Sequence, residues 1–156
     1  MKKWLIYAVA LVAVLFLGNS PFRGTDIAKL APVEVVWMAQ IGDMVYLETD
    51  TADVGRGIDV ASALQDMKAK ASGVVFLETA NYLIVNQGDE SLLDQMHSVL
   101  RPSCMICVSD KKPVLEDSAA FLSVHEPDVT LRQLHAASQK LPFLMQEQGR
   151  LELVAQ

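Results

Sequence analysis

The alternation of β-prone runs with helical stripes constrains the fold of this chain more than any other feature. Residues 33–39 and 44–49 are rich in Val, Met, Tyr and Leu, and the glycine-bearing segment 40–43 between them is typical of a β-hairpin. Helical and β-prone segments then alternate as far as residue 108. A strand–helix–strand–helix–strand order favours a sheet with some parallel pairing and with helices packed on one or both faces. The sequence therefore predicts the α/β (α+β) class, with a mixed sheet that begins at the N-terminal hairpin.

The predicted helices carry recognisable start and stop signals. Asp59 caps an apolar stripe with spacings of four, three and four residues, formed by Val60, Leu64, Met67 and Ala71. Asp89 caps a second helix that Pro102 ends, residues 115–124 form a third, and Asp128 caps a fourth. Residues 74–77 and 82–85 are either one bulged strand or two short ones. Residues 104–108 form a further strand, and residues 151–154 either add a short edge strand or fray.

An apolar run at the N-terminus predicts a membrane-targeting segment. Lys2 and Lys3 precede an uninterrupted apolar run from residue 4 to residue 18, and a polar segment that includes Arg23 follows it. We therefore divide the chain into a signal-anchor or signal peptide (1–23), a linker (24–32) and a single extracytoplasmic α/β domain (33–156).

Two outcomes remain open for this segment. Gly18 and Ser20 have the spacing of a signal-peptidase site, but Pro21 would follow the cut and disfavours it. We favour retention as a single-pass anchor with the C-terminal domain outside the cell, and secretion after cleavage is the alternative. The residues expected to anchor the chain in the bilayer are Trp4, Tyr7, Leu15 and Phe16.

The charge distribution limits the partners of the exported domain. Three of the 13 Lys and Arg residues lie within residues 1–23 and all 19 acidic residues follow them, so ten basic and 19 acidic residues leave a formal charge of −9. Nucleic acids and anionic lipid headgroups both require a basic face. We therefore expect other membrane or envelope proteins as partners, with no nucleic acid and no cofactor.

Two cysteines provide the one redox candidate in the sequence. Cys104 and Cys107 form a C-x-x-C spacing, which in an exported protein is compatible with an extracytoplasmic thiol–disulfide oxidoreductase. A redox-active dithiol needs its first cysteine at a helix N-terminus, whereas this pair lies in a predicted strand. Residues three apart in a strand point to opposite faces, so a disulfide between them would require a distorted backbone. We therefore expect buried core cysteines and keep the redox role as the alternative.

An acidic segment offers a second candidate site. Glu48, Asp50 and Asp53 place three carboxylates within six residues, which could bind Ca²⁺, but the ligand ladder of an EF-hand is absent. Arg56 lies between two glycines before a helix, without the glycine pattern of a nucleotide-binding loop. We expect a solvated acidic loop over residues 50–57, with Asp50, Asp53 and Arg56 as residues that could bind a partner or an ion.

The sequence offers no recognisable catalytic site. The histidines have no metal-ligand spacing, and no G-x-S-x-G or H-E-x-x-H pattern occurs. The histidines are His97, His125 and His135. We therefore expect no metal site and no enzymatic activity.

Several segments together resemble the N-terminal domain of spore-germination receptor C subunits, the Ger(x)C family. The corresponding motifs are the hairpin turn Gly42–Asp43, the helix that contains Ala63 and Leu64, and the strand residues 83–85. The similarity covers residues 33–125, and the chain lacks the lipid-attachment cysteine of that family and is far shorter. The resemblance implies a non-enzymatic, outward-facing component of a membrane assembly in an endospore-forming bacterium, with a role related to sporulation or germination. The expected function is a tethered binding or assembly module that works through a sheet edge or through the acidic loop.

Overall fold

The computed structural model describes residues 32–136 and 140–155. The predicted targeting segment and its anchor residues, Trp4, Tyr7, Leu15 and Phe16, lie outside the described residues. Within the described ranges, no helix combines the length and the apolar character needed to cross a membrane.

A seven-stranded mixed sheet forms the centre of the domain, in the order β3-β2-β1-β4-β5-β6-β7. Strands β1, β4, β5 and β6 are parallel neighbours, whereas β2 and β3 at one end and β7 at the other pair antiparallel. The strands are β1 (Val35–Ile41), β2 (Met44–Thr49), β3 (Val54–Gly57), β4 (Tyr82–Asn86), β5 (Met105–Ser109), β6 (Phe143–Glu147) and β7 (Arg150–Val154).

Among the described residues, three α-helices and three 3₁₀ turns connect the strands. The helices are α1 (Val60–Lys70), α2 (Leu93–Met96) and α3 (Leu115–Leu122). The 3₁₀ turns span Leu77–Thr79, Glu90–Leu92 and Leu131–Ala136. The predicted fold class is therefore confirmed at the level of a mixed sheet with an N-terminal hairpin and helices packed on it.

Both faces of the sheet are covered. On the first face, α1 and α2 bury side chains such as Met38 and Leu83, and on the second face α3 packs against residues such as Trp37 and Ile84. Four of the five residues of β4 are buried, because a parallel strand in the middle of a sheet loses solvent from both sides. This arrangement explains the continuous apolar sequence of β4.

Two glycines bring α1 directly onto β3. A methyl group at Gly55 would lie 2.1 Å from the carbonyl oxygen of Ala63 and 2.7 Å from Cβ of Met67. A methyl group at Gly57 would lie 2.3 Å from the backbone nitrogen of Ala63. The short strand is thus a glycine platform on which the helix rests.

Asp59 caps α1 as the sequence predicts. Its carboxylate accepts a 2.7 Å hydrogen bond from the Ser62 backbone N–H, and the Ser62 hydroxyl accepts one of 3.1 Å from the Asp59 N–H. This reciprocal arrangement is a capping box. The hydrogen bonds from the side chain and then the backbone of Ser62 lower the pKa of Asp59 from its ordinary value.

Replacing Asp59 by Asn is expected to weaken the acid sensitivity of the fold. Because the folded-state pKa of Asp59 is depressed, its contribution to stability is present above the unfolded value of about 3.9 and is lost as the pH falls through the folded value. Asn also caps helices but does not titrate. Thermal midpoints measured from pH 7 to pH 2.5 should fall less steeply below pH 4 for Asp59→Asn than for the wild type. Parallel curves would contradict this assignment.

The structure corrects five details of the sequence-based expectation. Residues 74–77 form no strand, since Phe76 makes only an isolated bridge with Pro32 and a 3₁₀ turn begins at Leu77. Residues 54–57 form strand β3 instead of part of a loop, and Phe143–Glu147 forms strand β6, which was not predicted. The second predicted helix shrinks to a 3₁₀ turn and α2, and the predicted fourth helix is the 3₁₀ turn Leu131–Ala136. Contacts outside each segment support the two strands: β3 pairs with the neighbouring β2 and packs against α1, and β6 lies between β5 and β7.

Candidate functional site

The two cysteines are buried on opposite sides of the sheet. Cys104 belongs to the core of the first face and Cys107 to that of the second, both are fully buried, and both are free thiols. Burial raises the pKa of Cys104 to about 12, against a smaller lowering by the charge of Arg101. Burial, with a further contribution from the neighbouring Cys104, also raises the pKa of Cys107. This geometry agrees with the strand-based expectation and gives neither sulfur the exposed thiolate that disulfide exchange requires.

The carboxylates of the acidic segment are engaged within the fold. Asp50 accepts the backbone N–H of Glu34 at 3.2 Å to both oxygens, and Asp53 accepts the hydroxyl of Thr51 at 3.0 Å. The hydroxyl of Thr49 in turn accepts the backbone N–H of Asp53 at 3.1 Å. These contacts hold the turn between β2 and β3. In the described part of the chain, no group of three or more His, Cys, Asp or Glu residues is arranged to hold a metal ion.

Arg56 points away from Asp50 and Asp53. Its guanidinium carbon lies 5.1 Å from the centre of the Tyr46 ring, a cation–π contact across β2 and β3. The three residues proposed from the sequence as one binding loop therefore do not converge on one ligand position.

The outer edge of β3 is covered by a side chain of α1. The backbone N–H of Arg56 donates to Oδ2 of Asp66 at 2.9 Å, and Lys70 contacts the same oxygen at 2.6 Å. The hydrogen bond from Lys70 and then that from the Arg56 backbone lower the pKa of Asp66. A carboxylate therefore occupies the donor that an added strand would need.

A cleft of about 360 Å³ lies between the β2–β3 turn and the start of α3. Lys112 pairs there with Glu48 at 2.6 Å, and its Nζ lies 6.0 Å from the centre of the Trp37 ring. The Trp37 Nε1 is buried without a hydrogen-bond partner among the described residues. The Lys112–Glu48 pair is partly exposed, so it contributes little to stability. Because the two charges already pair with each other, the cleft is a weak candidate for a binding site.

The outer edge of β7 has no neighbouring strand among the described residues. Glu147 lies opposite Arg150, and the two residues between them, Gln148 and Gly149, have φ values of 49° and 79°. This is a two-residue hairpin with both turn residues at positive φ, and its closing pair exchanges both backbone hydrogen bonds. Hydrogen bonding alternates along the pair, so the N–H and C=O groups of Leu151 and Leu153 point outward.

No described residue hydrogen-bonds those outward groups of Leu151 and Leu153. A groove of mixed polarity runs along the same edge. This cleft of about 470 Å³ on the second face is lined by Phe121, His125, Leu151 and Leu153 together with Glu126 and Glu152. Both leucines are half-buried against the core of the second face. The edge therefore offers backbone hydrogen-bond groups together with a site for apolar side chains.

The sequence indicated β7 only as one of two outcomes for the tail and missed β6. A local signal was present, because Gln148–Gly149 is a turn pair flanked by residues of alternating character. That signal predicts a hairpin and hence places β6 next to β7.

The comparisons with known proteins add no relative: no protein-family model, curated protein or solved structure matches the chain. The described residues thus define an α/β domain whose sheet is covered at the β3 edge and has no described element beside its β7 edge.

Proposed function

We propose that this protein is a non-enzymatic binding and assembly module, tethered by its N-terminal segment to the outer face of a cell membrane. It joins another polypeptide by adding a strand to β7. The observation that carries this proposal is the row of outward N–H and C=O groups at Leu151 and Leu153, which no described residue satisfies.

The two edge strands of the sheet differ in a way that favours β7 over β3 as the binding edge. At β3, Asp66 occupies the Arg56 N–H, and α1 lies across the glycine platform. At β7, the alternate residues Leu151 and Leu153 border a groove that Phe121 also lines, so an incoming strand gains main-chain hydrogen bonds and apolar contacts with these side chains. The acidic segment is the weaker candidate surface because its carboxylates already hold their own turn.

The membrane location rests on the sequence pattern of residues 1–23 and on the resemblance to germination-receptor subunits. A formal charge of −9 after residue 23 also fits a surface that meets proteins and avoids anionic headgroups. The process served is one of envelope assembly, related to sporulation or germination.

Labelling of intact bacterial cells tests the location. Lys111 is exposed, and both native cysteines are buried, so Lys111→Cys supplies one reactive thiol on the full chain. We expect a membrane-impermeant maleimide to label this variant in intact cells and in the membrane fraction, while the parent chain stays unlabelled. Labelling only after lysis would contradict the proposal.

A photo-crosslinking amino acid at position 152 tests the edge. Glu152 is exposed on β7, and Lys68 is an equally exposed residue on α1 that serves as the matched control position. We expect polypeptide adducts from position 152 in membranes and none from position 68. Equal yields, or no adduct from position 152, would contradict strand addition at β7.

A further inference from the structure

We propose that the strand added to β7 comes from a second copy of this chain, antiparallel, with Leu151 opposite Leu151 of the second copy. This inference rests on the proposed function and names its partner. It follows from three features of β7: the phase of its hydrogen bonds, the order of its charges and the position of its leucines.

The hydrogen-bond phase restricts the symmetric registers. Only Leu151 and Leu153 present outward backbone groups, so a twofold axis can pass through Leu151, through Leu153 or between them at Glu152. An axis at Glu152 would place two glutamates directly opposite each other, and like charges at that position are unfavourable. An axis at Leu153 would place Glu152 opposite Val154 of the second copy, so no charge pair would form.

An axis at Leu151 creates two charge pairs. It places Arg150 opposite Glu152 of the second copy, and Glu152 opposite Arg150 of the second copy, on the same face of the joined sheet. The side chains of Arg150 and Glu152 make no hydrogen bond and no ion pair with any described residue of their own chain. Both charges are exposed and of opposite sign one position either side of Leu151. The strand is therefore self-complementary about that residue.

The apolar side of the edge is consistent with the same axis. Leu151 and Leu153 lie on the second face next to Phe121 and His125, whose rings are 4.6 Å apart between centres. Pairing at Leu151 sets two leucines side by side at the mouths of two such grooves, where opposed apolar residues stabilise a strand pair. The joined sheet would contain 14 strands, twice the seven of one copy.

The acidic character of the domain opposes association only at long range. At physiological ionic strength the screening length is about 8 Å, so the −9 charges of two bodies are largely screened while the opposed side chains of β7 are not. Pairing through β7 is therefore expected to persist at about 0.15 M salt.

Cysteine crosslinking in the full chain tests the register. At a hydrogen-bonded antiparallel pair the Cα atoms are about 5.5 Å apart, within the range of a disulfide, so Leu151→Cys should form a disulfide-linked dimer of twice the 17.1 kDa chain. Glu152→Cys should give at least about tenfold less dimer, because the two positions are then offset along the strands by about 7 Å. Glu152 is the more exposed of the two, so accessibility alone would produce the opposite order.

A charge exchange tests the pairing independently of disulfide chemistry. Arg150→Glu and Glu152→Arg should each raise the apparent dissociation constant of the full chain in detergent at least about tenfold, and the double exchange should restore it. Lys111→Glu changes the net charge by −2, as Arg150→Glu does, but on a different surface, and should leave association unchanged.

The outcomes separate this inference from the proposed function. Adducts from position 152 to a different polypeptide, with no crosslink at Leu151→Cys, would overturn the second-copy inference and leave the open edge as a binding surface. More dimer from Glu152→Cys than from Leu151→Cys would overturn the register, as would a double exchange that fails to restore association. A monomeric chain without adducts from β7 would overturn both.

Discussion

A single methyl group at Gly55 is expected to lower the free energy of unfolding by about 3 kcal/mol or more. In Gly55→Ala the new carbon would lie 2.1 Å from the carbonyl oxygen of Ala63, which is helix backbone and cannot rotate away. The helix α1 must then move off β3, and Val60, Ala63 and Met67 lose part of their burial in the first-face core. Urea unfolding of the full chain in detergent, followed by circular dichroism, measures the loss.

Gly42→Ala is the matched control for that prediction. Gly42 has a φ of 63°, so alanine there is strained, but no described atom beyond Gly42 and its two chain neighbours lies within 4 Å of the added carbon. The expected cost is about 1 kcal/mol, which isolates backbone strain from steric contact. Equal losses of stability in both variants would show that close packing of α1 on the glycine platform is not what makes Gly55 necessary.

Native thiol labelling is expected to be about a thousandfold slower, or more, than labelling of the unfolded chain. The physical reason is twofold: Cys104 and Cys107 are fully buried, and the pKa of Cys104, at about 12, leaves very little thiolate at pH 8. The pKa of Cys107 is raised as well. The measurement is the rate of alkylation at pH 8 in buffer and in denaturant.

The engineered thiol in Lys111→Cys provides the control, since it lies on the surface and should react at the rate of an unhindered cysteine. Fast alkylation of Cys104 or Cys107 in the native protein would revive the thiol–disulfide oxidoreductase alternative. It would also contradict the assignment of the two thiols to opposite cores.

Sequence signals predicted the features of the fold that depend on neighbouring residues. The first hairpin closes at Gly42 with positive φ, α1 begins after the Asp59 cap, and the period-two geometry of β5 separates Cys104 from Cys107. Each of these features depends on residues within a few positions of one another. For the same reason, the sequence pattern of residues 151–154 indicated a possible edge strand.

Two strands escaped sequence analysis because contacts outside their own segments support them. The sequence Val-Gly-Arg-Gly has low β-propensity, and β3 forms since Gly55 and Gly57 admit α1 on one side while β2 pairs on the other. Strand β6 joins β5 at Val108 and Phe143, 35 positions apart. The binding loop proposed over residues 50–57 failed to converge for the same reason, because β3 carries Arg56 away from the turn.

The sequence by itself determined an acidic α/β domain whose helix caps, apolar strands and cysteine orientation are set by neighbouring residues. Only the tertiary structure decided which end of the sheet stays open. The close packing of α1 on two glycines brings Asp66 to the N–H of Arg56, whereas no described residue reaches the outward groups of Leu151 and Leu153. Backbone groups at a sheet edge are satisfied by whatever element folds beside them, and that neighbour is chosen by packing across the whole chain.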